Sequence, residues 1–173
     1  MHVPVLLDEV ISFLRVQNGK KFIDATVNGG GHAEKILKHL PKNGILIGID
    51  RDKKLLDKTA GKFKSDPRFS AVHGNFRDIK KLTKKYGTYW DGILLDLGIS
   101  SLQLEESGRG FSFMKNEMLD MRFDDQDLLT AREIVNKRSE KELGEIFSKY
   151  GEERYARRIA KTIFENRRRI PIN

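Results

Sequence analysis

At 173 residues the chain can form one domain, or one domain with an appendage, and can bury a sizeable core. Hydrophobic residues make up 38%, and no apolar run nears the roughly 20 residues of a membrane span, so no membrane partner is expected. The absence of cysteine excludes disulfides and thiolate metal sites. The acids in MHVPVLLDEV stand where a secretory leader carries bases, so a cytoplasmic location is expected. The formal net charge is +8, placed unevenly: residues 130–173 hold 12 Lys/Arg against 7 Asp/Glu, a net +5. Such a segment reads either as a footprint for a phosphate backbone or as a solvated helix face.

Leu7, Val10, Ile11 and Leu14 recur at helical spacing, so residues 5–15 form a first amphipathic helix, ended by Asn18-Gly19. Residues 21–27 form a strand that runs into Asn28 and three glycines, Gly29 to Gly31. Ala33, Ile36, Leu37 and Leu40 mark a helix stopped by Pro41 and Asn43-Gly44. Residues 45–50 (ILIGID) are a continuous apolar run, as in a buried parallel strand. Leu55, Leu56, Thr59 and Phe63 trace the next helix, residues 69–74 the third strand, and Ile79, Leu82 and Tyr86 a short helix. Residues 90–97 (WDGILLDL) are the fourth strand. Strands alternating with helices predict βαβ units and an α/β fold with a parallel sheet.

After Leu97 the alternation stops. Residues 98–128 show no period, and a loop of that length is usually functional or an inserted element. Thr130 can cap a helix to Arg138. Ser139 and Glu142 form a capping box for a second, with Leu143, Ile146, Phe147 and Tyr150 on one face and Gly151 as its stop. Tyr155 to Phe164 line a last helix whose other faces carry Arg154, Arg157, Arg158 and Lys161.

The chemistry concentrates in residues 22–32, FIDATVNGGGH. A strand, a glycine turn and a helix start is where open α/β sheets bind nucleotide-like cofactors. Asp50 closes the second strand 20 residues after Gly30, the distance at which an acid accepts hydrogen bonds from ribose hydroxyls. Two adenosine-containing ligands suit that geometry. A dinucleotide wants G-x-G-x-x-G, but position 34 is Glu, and Asp24 would set negative charge beside a pyrophosphate. A sulfonium with an α-amino group would favour Asp24, so S-adenosyl-L-methionine is preferred over NAD. Phe76, after the third strand, can lie against an adenine ring. Asp96, at the end of the fourth, faces the ligand crevice. No two of the four His are spaced as metal ligands, so no catalytic metal is expected.

Several stretches coincide with one family. HVPVLLDEV (2–10), DATVNGGGH (24–32), IGIDRD (47–52), HGNF (73–76), DGILLDLGISS (91–101), Gln103-Leu104, RGFSF (109–113), LDMR (119–122) and YGEERYARRIA (150–160) occur in order and at family-like spacing. On these motifs the chain resembles the bacterial ribosomal RNA small-subunit methyltransferase H family, also called MraW, whose members methylate N4 of a cytidine in 16S rRNA. The resemblance implies a Rossmann-like, class I methyltransferase sheet. It also implies S-adenosyl-L-methionine contacts from Gly30, Gly31, His32, Asp50, Phe76, Asp96 and Gln103. Asp24 and Asn28 are further contacts from the residue reading. Asp96 is a cofactor ligand or a proton acceptor; we assign it to the cofactor and name no general base. The RGFSF and LDMR stretches would border the substrate cleft. The basic helices would be the family's inserted domain, contacting RNA through Arg154, Arg157, Arg158 and Lys161.

The expected organisation is residues 1–104 as a partial methyltransferase domain and 105–173 as a loop and helical, basic insertion. The expected partner is 16S rRNA within the 30S subunit, with the oligomeric state, dimer included, left open. Asn28 stands where the family usually has Gly, and Asn is well suited to a positive φ. Leu102 stands where Pro is usual. The family's chain continues past position 173 to further strands, so the fourth strand is expected to present an exposed apolar edge. A truncated S-adenosyl-L-methionine- or RNA-binding module without catalysis is the alternative function.

Overall fold

The computed structural model describes residues 4–173, so His2 and Val3 of the HVPVLLDEV stretch lie outside the described residues. The chain divides into two compact units, Met1–Ser101 and Leu102–Asn173.

The first unit alternates strands and helices. Its strands are β1 (Lys21–Asp24), β2 (Ile45–Asp50), β3 (Phe69–His73) and β4 (Gly92–Leu94). All pairings are parallel, in the order β3-β2-β1-β4. Helix α1 (Leu7–Leu14) precedes β1, and α2 (Gly31–His39), α3 (Lys53–Lys62) and α4 (Ile79–Thr83) follow β1, β2 and β3. The two central strands alternate their side chains between two apolar layers. Phe22 and Leu46 join Ala33 and Ile36 on one face, with Leu94 packed against them. Ile23, Ile47 and Ile49 form the other, against Ile79, Leu82 and Trp90. Phe22, Ile36 and Leu46 are fully buried. Each such side chain stabilises the fold by roughly 1.5–3 kcal/mol.

Two strands are shorter than the sequence predicts. β1 ends at Asp24 rather than Val27, and β4 covers residues 92–94 rather than 90–97. The two shortenings have one cause. β4 pairs with β1 alone, so its ladder lasts only as long as β1 does. Beyond Asp24 the chain leaves the ladder, and the last backbone-to-backbone link is the Ala25 N–H donating to the Leu94 carbonyl at 2.9 Å. Past that point Leu95, Leu97 and Ile99 are exposed, as is Ile93 within the strand. This is the apolar edge that the four-strand reading anticipates.

The second unit is helical. α5 (Ser101–Glu106) begins at the last residue of the first unit and lies inside the stretch that shows no period in the sequence. α6 (Ala131–Lys137), α7 (Glu140–Gly151) and α8 (Ala156–Asn166) follow. Capping boxes open two of them: Thr130 with Glu133 on α6, and Ser139 with Glu142 on α7. α7 stops at Gly151 as predicted, but Glu152 rather than the glycine takes the left-handed conformation, at φ 50°, its N–H donating to the Phe147 carbonyl. Residues 107–129 are irregular but tied down. Arg109 donates to the carbonyls of Arg122 and Phe123, and Arg122 forks onto Asp120. Gly110 is obligatory here: at φ 73° a Cβ would stand 2.5 Å from the Met118 carbonyl oxygen. No helix among the described residues is long and apolar enough to cross a membrane.

Candidate cofactor site

Parallel strands deliver their carboxyl ends to one side of a sheet. Asp24 ends β1 and Asp50 ends β2, while Asp96 lies two residues past β4. The strand order reverses between β1 and β4, so Asp24 and Asp96 flank the switch point where such sheets open a crevice.

Asp50 is braced before any ligand arrives. Its Oδ2 accepts from the Asn28 N–H at 2.8 Å and its Oδ1 from the Asp52 N–H at 2.8 Å. The Arg51 N–H bonds this carboxylate as well, and with about four lone-pair sites against three backbone donors, acceptor capacity remains for a ribose. Burial raises its pKa above the ordinary carboxylate value, and these backbone donors work in the opposite direction. Asp52 is itself buried and caps α3, accepting from the N–H groups of Lys54 and Leu55.

Asp24 is deeper. It is 1% exposed, and its Oδ1 receives one long hydrogen bond, from the Thr26 N–H at 3.3 Å. Burial pushes this carboxyl up to about 7. The Thr26 N–H opposes that rise, and the negative charges of Asp50 and Asp96 add to it. His32 sits at the start of α2. Its Nε2 lies 2.9 Å from the Val5 carbonyl, which can only accept, so that nitrogen carries a proton. Its Nδ1 then faces Asp96 Oδ2 at 3.7 Å.

The space that Gly30 and Gly31 leave by lacking a side chain is filled by the protein itself. A Cβ on Gly30, at φ 75°, would meet Phe63 at 2.8 Å and Thr59 at 2.9 Å. One on Gly31 would strike Pro4 at 2.3 Å. The Gly30 N–H is also spent, donating to the Val27 carbonyl at 2.8 Å. What the turn leaves toward the crevice is the first turn of α2, Gly31 to Ala33, whose N–H groups an α-helix leaves without internal partners. Asn28 adopts φ 45°, the left-handed conformation expected of it.

Two threonines escape the sequence reading. Thr26 Oγ1 accepts from the Asp96 N–H at 2.7 Å and so stitches the segment after β4 to the turn after β1. Thr59 falls on an apolar helix face by its spacing; its hydroxyl donates to the Asn28 carbonyl and holds the turn from α3. A hydroxyl in an otherwise apolar stripe is the available signal. Asp52 escapes it too, although an acid just before a helical stretch is a recognisable N-cap.

Asp24, Asn28, Gly30, His32, Asp50 and Asp96 are thus gathered at one end of one sheet. Phe76 is close by in sequence and placement: it opens the short turn Phe76–Asp78 after β3 and is 36% exposed. That turn is tied to β2 by the Gly74 N–H donating to the Asp50 carbonyl at 2.9 Å. Gln103 belongs to the other compact unit, buried on α5, with its carbonyl accepting from Ser107 Oγ at 2.6 Å. Its cofactor role rests on the family resemblance alone.

Arg154, Arg157, Arg158 and Lys161 are exposed at and along α8. The first three line an open groove of about 990 Å³ with residues of α7. Arg154 lies over the Tyr155 ring at 5.6 Å, and Lys161 approaches Glu165 at 3.9 Å.

A four-stranded parallel sheet of order 3-2-1-4, with acids at its carboxyl ends, defines a Rossmann-like α/β protein. The family model described as the MraW methylase family matches residues 1–173, and the chain belongs to that family. It is 44% identical over 180 residues to the ribosomal RNA small subunit methyltransferase H of Caldicellulosiruptor saccharolyticus, covering 99% of this chain and 56% of that protein. It is 45% identical over 173 residues to the protein of the same name from Syntrophotalea carbinolica, covering 99% and 55%. The chain therefore spans about half the length of the curated relatives it matches. Among solved structures, that of NSun6 from Pyrococcus horikoshii aligns at TM-score 0.41 and 28% identity, over 49% of this chain and 22% of that one. That likeness is too slight to bear on function.

Proposed function

We propose that the strand ends of the first unit bind S-adenosyl-L-methionine, and that the protein is a cytoplasmic enzyme moving its methyl group to N4 of a cytidine in 16S rRNA of the small ribosomal subunit. The observation that carries this reading is the braced Asp50 carboxylate beside Asp24 and Asp96, three acids at the carboxyl ends of the sheet's strands. Such a site accepts ribose hydroxyls and a cationic ligand, and it repels a pyrophosphate. Membership of the MraW methylase family supports it.

The ligand supplies a methyl group activated by a sulfonium. Asp50 would hold the ribose hydroxyls, and Phe76, half-exposed beside it, offers a ring face for the adenine. Asp24 and Asp96 set negative charge opposite the cation. The acceptor amine of cytosine is a poor nucleophile because its lone pair is delocalised into the ring. Orientation of donor and acceptor supplies much of the rate, and the base must leave its stack to be reached. Arg154, Arg157, Arg158 and Lys161 would contact the RNA backbone.

Calorimetric titration tests the cofactor assignment. Micromolar binding of S-adenosyl-L-methionine without binding of NAD is expected, and silence toward the methyl donor at millimolar concentration overturns it. Methyl incorporation into 30S subunits from a strain lacking the modification tests the reaction. Binding without incorporation would favour the alternative of a binding module.

A further inference from the structure

Asp24 sits where a carboxylate is hard to keep ionised. It ends β1 with 1% exposure, and the flanking strands bring further acids toward it. Asp50 stands on the β2 side, with Asp52 beyond it at the start of α3, and Asp96 stands on the β4 side. The basic group placed against this cluster is His32 from α2, which faces Asp96 at 3.7 Å. One long N–H bond, from Thr26, is what the backbone offers Asp24. A further negative charge among these acids, away from water, is costly unless a cation or a proton accompanies it.

We infer that binding of the methyl donor expels a proton from Asp24: at neutral pH the ligand-free protein divides this residue between its neutral and charged forms, and the cationic methionyl end of the cofactor replaces the proton as its counter-charge. This rests on the cofactor assignment above. With Asp50 taking the ribose at the end of β2, the rest of the ligand is directed across β1 toward β4, past Asp24 and Asp96. That end of S-adenosyl-L-methionine carries the sulfonium, the α-ammonium and the α-carboxylate, a net positive charge, and Asp24 and Asp96 face its cationic groups. A cation within about 4–6 Å lowers a carboxylate pKa by roughly 1–3 units. Starting from about 7, that shift takes Asp24 into its charged form at neutral pH. The O–H bond of the acid breaks, the electron pair stays on the carboxylate, and the proton passes to buffer.

The test is titration calorimetry of the whole chain with S-adenosyl-L-methionine at pH 7, in two buffers of different ionisation enthalpy. The expected result is release of about half a proton per ligand, with affinity about tenfold weaker at pH 6 than at pH 8. S-adenosylhomocysteine keeps the ammonium and loses the sulfonium, so release with it assigns the linkage to the ammonium. 5′-Methylthioadenosine carries neither charge and is expected to bind without release. Asp24→Asn is expected to abolish the release; release that persists in this variant belongs to His32 or another group and overturns the inference. Infrared difference spectra of the unsubstituted protein give a second readout, because the carbonyl stretch of a protonated carboxyl must disappear as the ligand binds. Tight binding with equal heats in both buffers and no pH dependence overturns this inference alone. No binding at all overturns the cofactor assignment beneath it.

Discussion

The two units use charge in opposite ways. At the strand ends of the first unit, Asp24 and Asp50 are buried, and their protonation is set by neighbours they cannot escape. Along α8 of the second, arginines stand in solvent, where salt screens them and each contributes little alone. A buried acid can discriminate sharply for one small cation. An exposed basic face gathers phosphates additively and without much selectivity. The contrast matches the two ligands proposed, a cationic cofactor and a polyanion.

The largest test concerns Asp24 and stability. Its carboxyl is raised from 3.8 to about 7 on folding, so the folded protein binds an extra proton between those values. That contribution to stability is fully present below pH 4 and is lost as pH rises through 7. Its size is about 4 kcal/mol at most. Asp24→Asn is therefore expected to stabilise the protein more at pH 8 than at pH 5, by a few kcal/mol in urea unfolding. A difference that does not grow with pH would mean that Asp24 folds already charged. Next comes Asp50→Ala, which removes a charged acceptor from the ligand and from three backbone donors, the N–H groups of Asn28, Arg51 and Asp52. Weakening of methyl-donor binding by about 2–3 kcal/mol is expected, and unchanged affinity refutes the ribose role. Gly30→Ala forces a side chain into φ 75° and against Phe63 and Thr59. A loss of about 2 kcal/mol in unfolding free energy is expected. If packing alone demands Gly30, binding per folded molecule will be little changed.

The smaller effects lie in the second unit. Ser139→Ala removes the cap of α7 and is expected to cost about 1 kcal/mol, read from thermal unfolding. Arg157→Ala should weaken RNA binding modestly. Its clearer mark is the salt dependence: for each phosphate that the variant no longer neutralises on single-stranded RNA, the slope of log affinity against log salt becomes shallower by about 0.7. An unchanged slope would remove α8 from the RNA interface and leave its charge as a solvated face.

The alternation of strands and helices is legible in residues 5–97 because each element's period is written in its own residues. β2 is placed at its observed ends, Ile45–Asp50, since it is buried on both faces and reads as one apolar run. β4 is not. Its residues 95–97 are as apolar as a strand's, but β1 turns away at Asp24 and leaves them no partner. The gathering of Asp24, Asp50 and Asp96 is legible from the rule that parallel strands end on one side. The bracing of those acids is not, because Thr26 and Thr59 differ from ordinary loop and helix threonines only by what they touch.

The sequence by itself determined most of the local elements, the Thr130 cap and the Ser139–Glu142 capping box, the acids at the strand ends and the family. Each depends on residues within a few positions of one another or on motifs preserved in order. Tertiary structure alone decided the rest: that the glycine turn is filled by Pro4 and Phe63, that Asn28 is bonded by Asp50 and Thr59, and that Asp24 holds its proton to about pH 7. These properties come from partners 22 to 72 positions apart in the chain. A carboxylate's charge is set by the water it has lost and by the acids beside it, and neither is written next to it in the sequence.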